Sequence, residues 1–336
     1  MKQEEKAPER YFYHSFPRRM RATTAEIEKG CQILSIMRDV GLVMAPEVVT
    51  WGYEHADGSA PRTSEVLQQR VCFTELEPRE LPRHGQKFGR FALEFTVPTL
   101  KSLGAIPVFY IPRAMSSAVG AEGAASTLVM QFIDAMILVM RIAGVHDAIA
   151  ASGQREGTFP CTFGFKESGN KTFNLEVGET MRVLEAFTHA ITPPNILLPA
   201  LEGMLKFFYP ADDLRHDETL GYYREREWRI ACNIAIRGTE MMRRPSTELI
   251  ERLKALDSDF FGREFPPNSG KSLAEGVFVL PGLENRRMLQ MVNRVIVPEA
   301  AVSGVQAILR DLPEAPAIAA LESLSTESPR NGSAIK

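Results

Sequence analysis

Tyr222-Tyr223-Arg224-Glu225-Arg226-Glu227-Trp228-Arg229-Ile230 is the stretch on which the fold turns. With a period of two, Glu225, Glu227 and Arg229 point to one side, and Arg226, Trp228 and Ile230 to the other. Trp228 and Ile230 can anchor the second side in a core. The first side then carries two carboxylates and a guanidinium on a stiff backbone. As a helix the same residues would spread around the axis and the division would vanish. The stretch is therefore expected to be a strand, continuing through Ala231-Cys232-Asn233-Ile234.

Working outward, the upstream half offers further strands. Tyr11-Phe12-Tyr13-His14-Ser15-Phe16 is aromatic and β-prone, ends at Pro17, and would deliver His14 and Ser15 to a loop. Thr23 and Glu26 form a capping-box pattern ahead of Ile27, Cys31, Leu34 and Met37, so a helix is expected from Thr24 to Val40, stopped by Gly41. Leu42 to Tyr53 reads as extended chain. Val71 to Leu76, Phe91 to Phe95 and Val108 to Ile111 are strand candidates, as are Val277 to Leu280 and Val292 to Val297 later on. Between these groups the composition turns helical, at Glu122 to Ala151, Glu176 to Ala190 and Ile196 to Phe208, with an irregular Thr162 to Phe173. Strands at both ends with a helical insert at about 115–210 make an α+β pattern and not an alternating βαβ one. Residues 1–10 are expected to be a flexible N-terminus, 11–322 a single α+β domain and 323–336 a disordered tail.

The 336 residues are 44% hydrophobic and 24% charged with a formal net charge of -3, so no global basic field points to nucleic acid. Arg18, Arg19 and Arg21 still make a local basic patch, either a solvated loop or a clamp for a pyrophosphate or nucleic-acid backbone. Cys31, Cys72, Cys161 and Cys232 lie far apart, which suits free thiols in a reducing compartment. The charged start Met1-Lys2-Gln3-Glu4-Glu5-Lys6 is unlike a signal peptide, and a cytoplasmic location is expected. Ala124 to Ala143 is strongly apolar, but Gln131, Asp134 and Arg141 interrupt it. It is expected to be a buried helix of a soluble core, with no membrane partner. His216 among Asp212, Asp213, Asp217 and Glu218 reproduces no metal-ligand spacing, so an acidic loop is expected and no metal. P-loop, Rossmann and nucleophile-elbow motifs are missing from the sequence.

Three blocks taken together resemble a known family. They are Tyr11 to Phe16 with its helix exit Val40-Gly41-Leu42; Val71-Cys72-Phe73-Thr74-Glu75-Leu76 with Gly104-Ala105-Ile106-Pro107-Val108-Phe109-Tyr110; and Tyr223 to Arg229 with its Glu-Arg-Glu-Trp-Arg core. In this the chain is similar to the abortive-infection, phage-resistance family of AbiGi-like proteins, in scattered blocks over about 11–236. In the order of its early His, Gly-Leu helix exit and late Glu strand it also resembles ADP-ribosyltransferases of the DarT and RNA 2′-phosphotransferase kind. These resemblances imply a split mixed or antiparallel sheet, ADP-ribosyltransferase-like, carrying a large helical insert. They imply NAD as substrate, a nucleic-acid or protein target, and a role in phage defence or as partner of a toxin–antitoxin pair. His14 would hold one ribose hydroxyl. A glutamate would hold the other and stabilise the oxocarbenium-like centre as nicotinamide leaves.

The site expected from these readings has Glu227 as reactive carboxylate and Glu225 as fallback. His14, Ser15, Arg18, Thr74 and Arg229 would bind the dinucleotide, and His14 would have to share one cleft with the glutamate. The competing reading is structural. Glu225 and Glu227 would then be an exposed ion-pair ridge, His14 a buried hydrogen-bonded histidine and Cys72 a core thiol, in a non-enzymatic antitoxin or sensor.

Overall fold

The computed structural model describes residues 11–17, 23–53, 62–111, 121–165, 169–190, 194–210, 226–232, 235–236, 239–240 and 242–326. Residues 1–10, Arg18, Arg19, Arg21, the acidic loop with His216, Glu225 and residues 327–336 lie outside them. The described chain is α+β with a mixed sheet. It divides into two compact units, residues 1–50, 65–112 and 206–336 in the first, and 51–64 with 113–205 in the second.

In chain order the first half runs β1 (Tyr11–Phe16), α1 (Thr23–Val40), β2 (Leu42–Met44), β3 (Pro46–Tyr53), β4 (Arg62–Glu75), α2 (Leu81–Phe88), β5 (Phe91–Thr96), α3 (Val97–Ser102), β6 (Ile106–Pro107) and β7 (Phe109–Ile111). The second unit supplies α4 (Ala121–Ser152), β8 (Thr158–Phe165), β9 (Gly169–Glu176), α5 (Val177–Ala190) and α6 (Pro194–Leu205). The chain returns through β10 (Phe208–Pro210), β11 (Glu227–Ala231), β12 (Ala235–Ile236), β13 (Thr239–Glu240), α7 (Thr247–Leu256) and α8 (Ser258–Phe261). It closes with β14 (Phe278–Leu280), β15 (Gly282–Leu283), β16 (Arg286–Arg287), β17 (Arg294–Val297), α9 (Val302–Leu309) and β18 (Ala317–Ala320).

Eight strands form the main sheet, in the order β18-β17-β5-β1-β4-β11-β6, with β3 paired to β4 off that path. β17 and β18 run parallel, and β17-β5-β1-β4-β11-β6 are antiparallel neighbours. Alternation decides which face is core. Phe12, Phe73, Phe95 and Ile230 project to one side, where Leu34 and Met37 of α1 and Val305 and Leu309 of α9 cover them. The aromatic rings interlock there, with Phe73 edge-on to Phe95 at 5.3 Å and Phe12 tilted on Trp228 at 5.2 Å. Trp228 and Ile230 thus anchor β11 in the core, as its alternation requires. The strand begins at Glu227, because Arg226 before it has φ 43 and leaves the pleat. Arg226 is exposed and pairs with Glu75 at 3.2 Å, so it does not share the core side with Trp228.

In the second unit two expectations are corrected. The irregular Thr162 to Phe173 is part of a regular hairpin, β8 against β9, paired from Thr158↔Glu176 to Phe165↔Gly169. Phe159, Cys161 and Phe163 alternate toward Val145, Ile149 and Val177, and that period-two pattern outweighs the Gly and Thr content. Helix α4 forms as expected but is not a buried core helix, because only 17% of its apolar window is buried. At the C-terminal end, order continues past 322 into a 3-10 turn, Glu322–Thr326, with Leu324 buried.

The α2–β5 connection depends on one glycine. Gly89 has φ +113, and a Cβ there would lie 2.4 Å from the backbone carbon of Phe16, at the end of β1. Gly89→Ala is expected to lower stability by about 1–3 kcal/mol, seen as a reduced urea midpoint. An unchanged midpoint would show that β1 and β5 do not approach each other this closely.

Candidate functional site

On the face of the sheet opposite the aromatic core, the strand register lines up a polar row. Arg294, Glu94, Tyr13, Thr74 and Glu227 stand opposite one another across β17, β5, β1, β4 and β11. Residues directly opposed in an antiparallel ladder project to the same face. At one end Glu94 accepts from Arg294 Nη2 at 2.7 Å and from the Tyr13 hydroxyl at 2.9 Å. At the other end is Glu227, with Arg229 two residues on and therefore on the same face.

Glu227 is tightly held. Arg229 Nε donates to its Oε1 at 2.7 Å and the Tyr110 hydroxyl, from β7, donates to Oε2 at 2.9 Å. Arg229 is fully buried, donates through Nη1 to the Lys206 carbonyl at 3.1 Å, and lies 4.7 Å over the Tyr209 ring. Its Nη2 finds no hydrogen-bond partner among the described residues. Arg70 on β4 sits 5.1 Å over the same tyrosine ring and pairs with Glu47 of β3 and Gln68. Lys206, also buried, donates to the Cys232 thiol. Three cationic side chains, Arg70, Lys206 and Arg229, therefore surround two carboxylates, Glu47 and Glu227. The local balance is positive.

Burial alone would raise the Glu227 carboxyl. The charge and hydrogen bond of Arg229, with help from Cys72 and Arg70, overcome it and hold the group at about 2. Burial likewise works against the Arg229 cation, and the Glu227 charge more than reverses this, so its affinity for the proton rises. Both directions say the same thing: the pair is ionised. The expectation of an exposed, solvated ridge is therefore corrected for Glu227.

A cavity of about 660 Å³ in the first unit opens beside this row. Glu227, Thr74, Cys72, His14 and Ser15 line it, as do Arg70 and Glu47. Its far wall is apolar, from Ile33 and Met37 of α1, Leu253 and Leu256 of α7, and Phe260 and Phe261 of α8. Lys29 and Asp257, bonded at 2.6 Å, mark the rim of that wall. A volume within about 300–1,000 Å³, largely apolar with a few convergent charged groups, is the form of a small-molecule site. No group of three or more His, Cys, Asp or Glu able to hold a metal occurs among the described residues.

The register corrects one expectation about how the site is assembled. Tyr13, not His14, stands in line with Glu227, so His14 springs from the opposite pleat. Its ring lies 6.0 Å from that of Phe16 and 5.8 Å from that of Phe73. The β1–β4 ladder, however, stops after Tyr13↔Thr74, and His14 Nδ1 instead meets the Cys72 carbonyl at 2.9 Å. His14 and Glu227 thus line one cavity although their strands present them to different faces. The Ser15 hydroxyl is buried there without a hydrogen-bond partner among the described residues. Arg229 stands behind Glu227 and does not line the cavity. Arg18 and Glu225 are outside the described residues.

Sequence reasoning missed Arg70, Glu47, Lys206, Tyr110 and Tyr209. Arg70 was within reach. Gln68, Arg70, Cys72 and Thr74 alternate along β4, and starting that strand at Val71 cut the pattern short. The others come from distant segments and follow only from strand pairing.

Removing Arg229 strands a buried carboxylate, so Arg229→Met should destabilise by about 3–5 kcal/mol in urea titrations, with Glu227→Gln added on top recovering part of the loss. Because the folded Glu227 is depressed, its contribution is complete above the ordinary value of 4.5 and is lost as pH falls through about 2. Stability of the wild-type chain should decline over that window, and Glu227→Gln should flatten the decline. An equal acid slope in both proteins would contradict the ionised pair. Compared with known proteins, the chain matches no family model, no curated protein and no solved structure.

Proposed function

We propose that this protein is a phage-defence protein of the abortive-infection type, working in the cytoplasm, that binds NAD in the cavity beside Glu227 and transfers ADP-ribose to a nucleic-acid or protein target. The sheet is read as ADP-ribosyltransferase-like, parted between β1 and β4. The observation that carries this reading is that His14, Ser15, Thr74 and Glu227, from three separate strands, line one cavity with an apolar wall and a charged floor. The apolar wall suits nicotinamide, and the net positive floor suits the pyrophosphate.

In the reaction the bond between ribose C1′ and the nicotinamide nitrogen breaks, and its electron pair leaves with nicotinamide. Positive charge develops on the ribose, and an ionised Glu227 fixed by Arg229 opposes it without reorganising. The target nucleophile then bonds to C1′ and releases its proton to solvent. A backbone carbonyl only accepts, so His14 Nδ1 carries the hydrogen in its contact with Cys72. A neutral ring then offers Nε2 as acceptor to a ribose hydroxyl.

A second reading is a sensor or antitoxin that binds a nucleotide without cleaving it. Both Glu227 oxygens are already bonded, and His14 reaches the cavity from the other pleat. The two readings separate in one assay. Labelled NAD incubated with the full chain, with and without nucleic acid or lysate protein, should release nicotinamide and label a target. Glu227→Gln should slow this by about 100- to 1,000-fold. Saturable NAD binding without release would favour the sensor. Neither binding nor release would exclude NAD altogether.

A further inference from the structure

Helix α4 of the second unit presents a stripe that its own unit leaves open. Its inner side packs through Val129, Met130 and Ile133, and near its end Val145 and Ile149 turn under the β8–β9 hairpin. Between these, Leu128, Leu138 and Ile142 are 65%, 58% and 37% exposed, and Gln131 and Ala135 are exposed with them. The positions 128, 131, 135, 138 and 142 advance by three, four, three and four. That is the spacing of a coiled-coil seam, a narrow line matching one other helix.

By length and composition, Leu128–Ser152 is also apolar enough to cross a membrane. Asp134 and Arg141 lie near the middle of its apolar part, where each would cost about 2.5–3.5 kcal/mol in a bilayer. The polar residues that disfavour lipid are well placed for a second copy. In an antiparallel pairing Ala135 faces Leu138 of the partner subunit and Gln131 faces Ile142 of the partner subunit, so small and large side chains alternate. A parallel pairing would oppose Ala135 to its own copy and leave a void. Asp134 and Arg141 are one heptad apart on the same flank of the stripe. Antiparallel pairing brings each to the opposite charge across the two-fold axis, twice over. Parallel pairing would not.

We propose that α4 is the seam of an antiparallel homodimer of this chain, closed by the Leu128-to-Ile142 stripe and flanked by reciprocal Asp134–Arg141 ion pairs. The seam is about 20 Å long, from 1.5 Å per residue, so dimerisation should be reversible and concentration-dependent. The test is sedimentation velocity on the full chain from about 1 to 100 µM, the range in which a small interface associates. The wild type should shift from monomer toward dimer, and Leu138→Glu should stay monomeric with unchanged circular dichroism. Asp134→Arg and Arg141→Asp should each weaken the dimer at least tenfold, and the double exchange should restore it. A wild type that stays monomeric throughout, a Leu138→Glu dimer as tight as wild type, or an unrescued double exchange would each overturn the proposal. So would a monomer that floats with phospholipid vesicles and loses that binding in Leu138→Glu, since the stripe would then belong to lipid.

Discussion

The ion pair between Glu227 and Arg229 is the constraint to which the rest of the site conforms. Two opposite charges on one face of a five-residue strand are held at 2.7 Å with almost no access to water. Such a pair survives only where further polar groups meet its remaining valences. Tyr110, the Lys206 carbonyl and the Tyr209 ring supply them, from β7 and the segment around β10. The parallel pairing of β10 with β7 brings these contributors together from chain positions a hundred residues apart. Strands too short to matter for the core therefore matter for the charge.

The same constraint sets what the cavity can do. A carboxylate kept ionised by burial beside a guanidinium is a fixed negative charge, and a fixed charge is useful only where positive charge appears in a transition state. Ribosyl transfer has that requirement. The guanidinium also neutralises part of the field that the carboxylate would exert, which limits the rate such a site can reach. Catalysis and mere recognition thus differ here in how a bound ribose would compete with Arg229 and Tyr110 for the Glu227 oxygens.

Much of the fold was legible because hydrophobic alternation is local. The alternation of β1, β5 and β11 and the capping pattern before α1 assigned each element its type. Glu227 and Thr74 were found because a charged residue within a Trp-anchored strand, or a polar one at a strand end, stands out against its neighbours. The register was not legible, since pairing β1 to β4 at Tyr13↔Thr74 is a long-range choice that no window of sequence contains. That choice gave the in-line position to Tyr13 and moved His14 to the other pleat. The hairpin at Thr158 to Glu176 was obscured by Gly and Thr, which mark loops more often than strands. The burial of the charged face escaped for the same reason as the register: its cover comes from β7 and β10.

The most direct measurement is a crystal structure of the full chain with a non-cleavable NAD analogue. Ribosyl transfer predicts the nicotinamide ribose between the His14 ring and the Glu227 carboxylate, with a ribose hydroxyl within hydrogen-bond distance of Glu227. An analogue bound elsewhere, or bound in the cavity with both Glu227 oxygens still held by Arg229 and Tyr110 and no ribose contact, would contradict it.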